Sequence, residues 1–220
     1  MLKRLLVSVL PFLATSCRDA AKPTGDVQML DPKKILFSLP TLCDQAPAVA
    51  EAPAPSGARS LHEDDWRQVE FVAAIDDSYI RGELAALATF KSQHKKSSGW
   101  TSVYVRKEHP HPLGTLGLRY SPLPQFSASA IALGGRPVRG GFALSDGGGW
   151  FIYGQRSPEG GIIQLAVSPS QEAVSDRFAA GLVEITQAAP VLLVDWYAGS
   201  IVDLTSPKSV LAWARHTQMQ

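Results

Sequence analysis

Between residues 141 and 167 three apolar runs are separated by two turn signals. Gly141-Phe142-Ala143-Leu144 leads into Ser145-Asp146-Gly147-Gly148, and residues 150–155 lead into Ser157-Pro158-Glu159-Gly160 before the third run at 161–167. Asp-Gly and Pro-Glu-Gly reverse an extended chain within a few residues, so the three runs read as an antiparallel meander. A sheet of this kind must cover at least one face, which directs attention to the helical patterns on either side.

A first strand is read at 66–72, where Val69 and Phe71 share one face. Asp76, Asp77 and Ser78 offer N-caps to a long helix over about 79–96, with Ile80, Leu84, Leu87 and Phe90 as its apolar stripe. A strand at 100–106 and a short one at 129–133 follow, across a proline-rich loop. After the meander, Ser168, Pro169 and Gln171 have the spacing of a capping box for a helix carrying Val174, Phe178, Leu182 and Ile185. Pro190 ends it, Val191-Leu192-Leu193-Val194 reads as a central strand, and Ala198-Gly199 turns it toward a strand at 201–204. Ser206-Pro207 opens a last helix over about 208–216. The expectation is an α+β fold: a mostly antiparallel sheet with a long helix after the first strand and two later helices packed on it.

The N-terminus has another logic. Lys3 and Arg4 precede an apolar run, residues 5–13, too short to span a bilayer, and Leu13-Ala14-Thr15-Ser16 leads into Cys17. These residues resemble the signal peptide and lipobox of bacterial lipoproteins, with the leucine one position earlier than usual and Ala14 in its place. The resemblance implies cleavage after residue 16, lipid on Cys17 and an extracytoplasmic location in the cell envelope. In a Gram-negative cell this is the outer membrane facing the periplasm. Several acyl chains on one residue anchor a protein stably.

Three segments are therefore expected: signal peptide 1–16, a lipidated cysteine with a Pro/Ala-rich linker 17–60, and one globular domain 61–220. Residues 46–57 alternate alanine and proline with little to bury, although the apolar patch at 35–39 can dock on the domain. With 21 basic and 20 acidic residues there is no basic excess for phosphate, so nucleic acid is not an expected partner. With Cys17 acylated, Cys43 is the remaining cysteine and has no internal disulfide partner.

Few residue patterns carry chemistry. His109 and His111, two apart, are weak metal candidates: Pro110 and Pro112 make their segment a loop and no second close ligand pair exists, so no metal or cofactor is expected. Ser92 and Lys95 have the spacing of serine acyl enzymes without the companion motifs, and the glycines and arginines of 134–141 are read as a hairpin entry rather than an anion cradle. Asp195, Trp196 and Tyr197, at the end of the central strand, are the residues proposed for partner contact: a rigidly placed acid beside two aromatics.

The sequence thus reads as a membrane-tethered lipoprotein whose head is a non-catalytic protein-binding module, with an immunity-like or inhibitor-like role. The alternative is an envelope hydrolase using Asp195, His109 or His111.

Overall fold

The structure, a computed structural model, describes residues 34–118 and 125–218. The signal peptide and Cys17 lie outside the described residues. In chain order the strands are β1 (Thr41–Cys43), β2 (Arg59–Leu61) and β3 (Val69–Ala73), followed by helix α1 (Asp77–His94). Next come β4 (Lys95–Lys96), β5 (Gly99–Trp100), β6 (Tyr104–Arg106), β7 (Ser127–Ser129), β8 (Ile131–Leu133) and β9 (Arg136–Pro137). The meander is β10 (Gly141–Ser145), β11 (Phe151–Arg156) and β12 (Ile162–Ser168); α2 (Asp176–Ala188), β13 (Val191–Asp195), β14 (Ser200–Val202) and α3 (Pro207–Gln218) complete the chain.

Seven strands form one sheet in the order β14-β13-β3-β12-β11-β10-β7, and every pairing in it is antiparallel. The fold is α+β, as expected. The earliest strand of this sheet, β3, is inserted between β12 and β13, and all five of its residues are buried.

Alternation along the strands sends side chains to two different cores. Val69, Phe71, Leu193, Phe142 and Ile152 face α2 and α3, where they pack with Phe178, Leu182 and Val210. On the opposite face Val72, Val194 and Trp196 meet Ile80 and Leu87 of α1. Beside them, Trp66, Tyr153, Phe151 and Ala166 pack under β2 and β8.

The helix ends differ in part from the sequence reading. Ser168 belongs to β12, paired with Phe151, and the cap of α2 is Ser175, whose Oγ accepts the Phe178 amide at 3.0 Å. Sheet pairing outcompetes the capping box, and the N-cap of α2 lies seven residues later than expected. Ser206 caps α3 as expected, accepting the Ser209 amide. The α1 helix ends at His94, and Lys95 and Lys96 turn back as a hairpin with β5.

The larger difference concerns the expected linker. From Phe37 onward this segment is part of the fold. Phe37 bridges Trp100, β1 pairs in parallel with β6, Val49 bridges Val138, and β2 pairs in parallel with β8. The amides of Ala50 and Ala54 donate to the carbonyls of Pro137 and Gly135. The prolines lack donors, but the residues between them supply enough to lace the segment onto the domain. No described helix is long and apolar enough to cross a membrane.

Candidate functional site at the end of the central sheet

Residue Asp195 closes β13 on the α2/α3 face and is fully buried. Its Oδ2 accepts the indole N–H of Trp213 on α3 at 2.9 Å, and its Oδ1 accepts the amide of Ala198 at 2.8 Å. The second bond folds the chain into a turn closed by Gly199 at φ 78°, a conformation that favours glycine. Within this turn Trp196 goes inward to the α1 face, and Tyr197 stays half-buried. The Tyr197 carbonyl accepts the ammonium of Lys91 from α1. Burial pushes the Lys91 ammonium down, with the Asp195 carboxylate opposing that shift.

Around this turn the ends of β3, β12 and β13 leave a cleft of about 410 Å³. Tyr197, Asp65, Gln68, Ser168, Ser170, Gln171 and Thr217 supply its polar lining, Leu39, Val69 and Pro169 its apolar part, and Asp195 its floor. Among the described residues no lysine or arginine lines it. Burial raises the Asp65 carboxyl above its ordinary range, partly offset by His62. The cleft therefore suits a cationic or hydrogen-bonding group better than an anion.

On the opposite face lies a second polar centre. Glu70 is the one acid in the buried strand β3, and alternation points it away from the α2/α3 core. Its Oε2 accepts from Arg67 Nε at 2.5 Å; its Oε1 accepts from Trp196 Nε1 at 2.7 Å and pairs with His109 Nε2 at 3.1 Å. Burial alone would raise the Glu70 pKa, but Arg67, His109 and Arg106 outweigh it and hold the carboxyl at about 2. The Arg106 guanidinium lies 5.0 Å from the Trp196 ring centre, and the His109 ring is parallel to the same indole at 6.2 Å. Burial lowers the Arg106 pKa, and Glu70 opposes that shift.

The backbone around this centre is bent to serve it. Arg67 has φ 58°; its amide donates to the Tyr153 hydroxyl at 2.7 Å and its carbonyl accepts Arg106 Nη2 at 2.7 Å. Gln68 links the two faces: it lines the cleft, donates to the carbonyls of Thr41 and Asp64, and accepts Arg106 Nη1 at 3.4 Å.

The two loop histidines take different carboxylates. His109 is buried on Glu70, whereas His111 is exposed and its Nδ1 lies 2.5 Å from Oδ1 of the buried Asp76. Asp76 also accepts the His111 amide at 3.0 Å, so this residue, one of three expected N-cap candidates and the N-cap position of α1, gives its carboxylate to the loop rather than to a helix amide. Among the described residues no three histidine, cysteine or acidic side chains come together as a metal site. Cys43 is free and half-buried, and burial raises its thiol pKa.

Three residues singled out in the sequence are thus divided between two centres: Asp195 and Tyr197 at the cleft, Trp196 on Glu70. The signal for Glu70 was present as a lone charge within an apolar strand. Arg67, three residues before Glu70, carried a local signal as its ion-pair partner, whereas Arg106 carried none, since its partners come from distant segments. Comparison with protein-family models, with curated proteins and with solved structures finds no match for this chain.

Proposed function

We propose that this chain is an extracytoplasmic lipoprotein, tethered to the bacterial envelope through lipid on Cys17, whose head is a non-catalytic module that binds another protein. The observation that carries the recognition half is the cleft at the end of the sheet, whose lining among the described residues has acidic and hydroxyl groups, a half-buried tyrosine and no lysine or arginine. Its shape and charge suit a basic side chain projecting from a partner. Tyr197 is the contact residue. Asp195, whose oxygens are both engaged, is a positioning residue that fixes the turn. Trp196 supports the turn from the other face. An immunity-like or inhibitor-like role fits such a head. The test of the tether is fatty-acid labelling of wild-type protein and Cys17→Ser; the test of recognition is partner capture with Tyr197→Ala.

One observation favours a second reading, an envelope hydrolase. The Asp76 carboxylate holds His111 Nδ1, which leaves Nε2 of an exposed ring as a proton acceptor, the arrangement of a general base. A hydrolytic activity lost in His111→Ala, with the fold retained, would replace the first reading by this one.

A further inference from the structure

The described chain begins on an apolar run that the fold leaves uncovered. Ile35, Leu36 and Phe37 are 42%, 39% and 39% exposed, and they make up half of the exposed large hydrophobic residues among those described. They do not hang free. Phe37 and Trp100 exchange both backbone hydrogen bonds, at 2.9 and 3.1 Å, and Trp100 pairs in turn with Lys95 across the β4–β5 hairpin. Gly99 is required at this contact, because a Cβ there would lie 2.5 Å from the Phe37 carbonyl oxygen and its φ is 153°. The three short segments therefore form a fixed platform.

That platform is basic. Lys34, Lys95 and Lys96 are exposed, and none of them pairs with a carboxylate among the described residues. A run of exposed apolar side chains with exposed lysines next to it in the chain and on the paired hairpin matches the chemistry of an anionic bilayer surface, where hydrocarbon takes the apolar groups and acidic headgroups take the ammonium groups. The platform also stands where the chain arrives from Cys17, seventeen residues before Lys34. Even fully extended, a segment of that length reaches only about 60 Å.

We propose that this face, Ile35, Leu36 and Phe37 with Lys34, Lys95 and Lys96, lies on the anionic lipid surface of the membrane, so that the head is oriented on the bilayer rather than held away from it. The proposal rests on the reading of the chain as membrane-tethered. It also gives the cleft a defined direction relative to the membrane. The docking is electrostatic and apolar together, so it is weakened by salt and by neutral lipid.

The test uses protein that carries no lipid, so that the platform is read apart from the anchor: the chain from residue 17 with Cys17→Ser, which contains every described element. Sedimentation is measured with vesicles of phosphatidylcholine alone and of phosphatidylcholine with about 30% phosphatidylglycerol, each at low and high salt. Binding to the anionic vesicles only, falling in high salt, is expected. The combined Lys34→Gln, Lys95→Gln and Lys96→Gln protein should bind about a hundredfold more weakly, at about fivefold per lysine. Ile35→Ser with Leu36→Ser, two positions outside the strand pairings, should bind about tenfold more weakly with an unchanged melting temperature. Equal sedimentation with both vesicle types, none with either, or full binding by both variants would overturn the proposal. Capture of this face by a protein with no lipid binding would do the same. Fatty-acid labelling of wild-type protein is read separately: its absence removes the tether and leaves the vesicle result standing, and its presence does not rescue a platform that fails to bind.

Discussion

Trp196 donates its indole N–H to the buried Glu70 carboxylate at 2.7 Å, joining β13 to β3 beneath helix α1. The same carboxylate receives Arg67 and His109, so one side chain ties together two strands, the bend at Arg67 and the histidine loop. Removing it leaves the buried Arg67 guanidinium with only the more distant Glu108 carboxylate, at 3.9 Å, among the described residues. Glu70→Ala is expected to lower stability by about 3–5 kcal/mol, the usual cost of breaking a buried ion pair, as measured by urea unfolding.

The pH dependence follows from the same group. The Glu70 carboxyl is lowered from 4.5 to about 2 in the folded protein. A depressed acid stabilises the folded state above its unfolded pKa, and that contribution is lost as pH falls from about 4.5 through about 2. Roughly 3 kcal/mol is expected to disappear across this window. Urea midpoints measured at steps from pH 6 to pH 2 should fall steeply in wild type and less steeply in Glu70→Gln.

Asp195 is expected to matter first for the fold. In Asp195→Ala the Trp213 indole and the Ala198 amide both lose their acceptor, at about 1–3 kcal/mol per stranded group. Asp195→Asn keeps one carbonyl acceptor and should recover part of the loss. Tyr197→Ala breaks no side-chain hydrogen bond of the described structure, because Lys91 uses the Tyr197 backbone carbonyl, and its melting temperature should stay within a degree or two of wild type.

The N-terminal segment is expected to contribute to stability. Thr41 accepts Gln68 on its carbonyl and Arg106 on its hydroxyl, so deleting residues up to 58 uncovers two buried polar side chains that face Glu70 and the cleft. A chain beginning at Arg59 should be less stable than one beginning at Lys34 by at least roughly 2 kcal/mol. Equal unfolding midpoints would show that β1 only rests on the domain.

Much of the architecture could be read from residue patterns. The meander, the apolar stripe of α1, the Ser206 cap and the turn after Asp195 all rest on local chemistry: alternation, turn residues and caps. What was illegible depends on contacts distant in sequence. The Ala/Pro segment has no periodicity of its own, and its parallel pairings join Thr41 to Tyr104 and Arg59 to Ile131. The Ser168 capping box was locally sound and gave way to sheet pairing with Phe151. Trp196 stood out as an aromatic, but its partner Glu70 lies 126 positions away. The cleft itself is a property of three strand ends that no single segment announces.

The most direct measurement of the central claim is partner capture by the intact lipoprotein in its own membrane, compared with Tyr197→Ala at matched expression and melting temperature. A partner retained by wild type and held more weakly by Tyr197→Ala, by roughly 1–3 kcal/mol or about a factor of 5 to 150 in dissociation constant, is the expected result. Capture that is identical in the two proteins, or a catalytic turnover that depends on His111 and not on Tyr197, would contradict it.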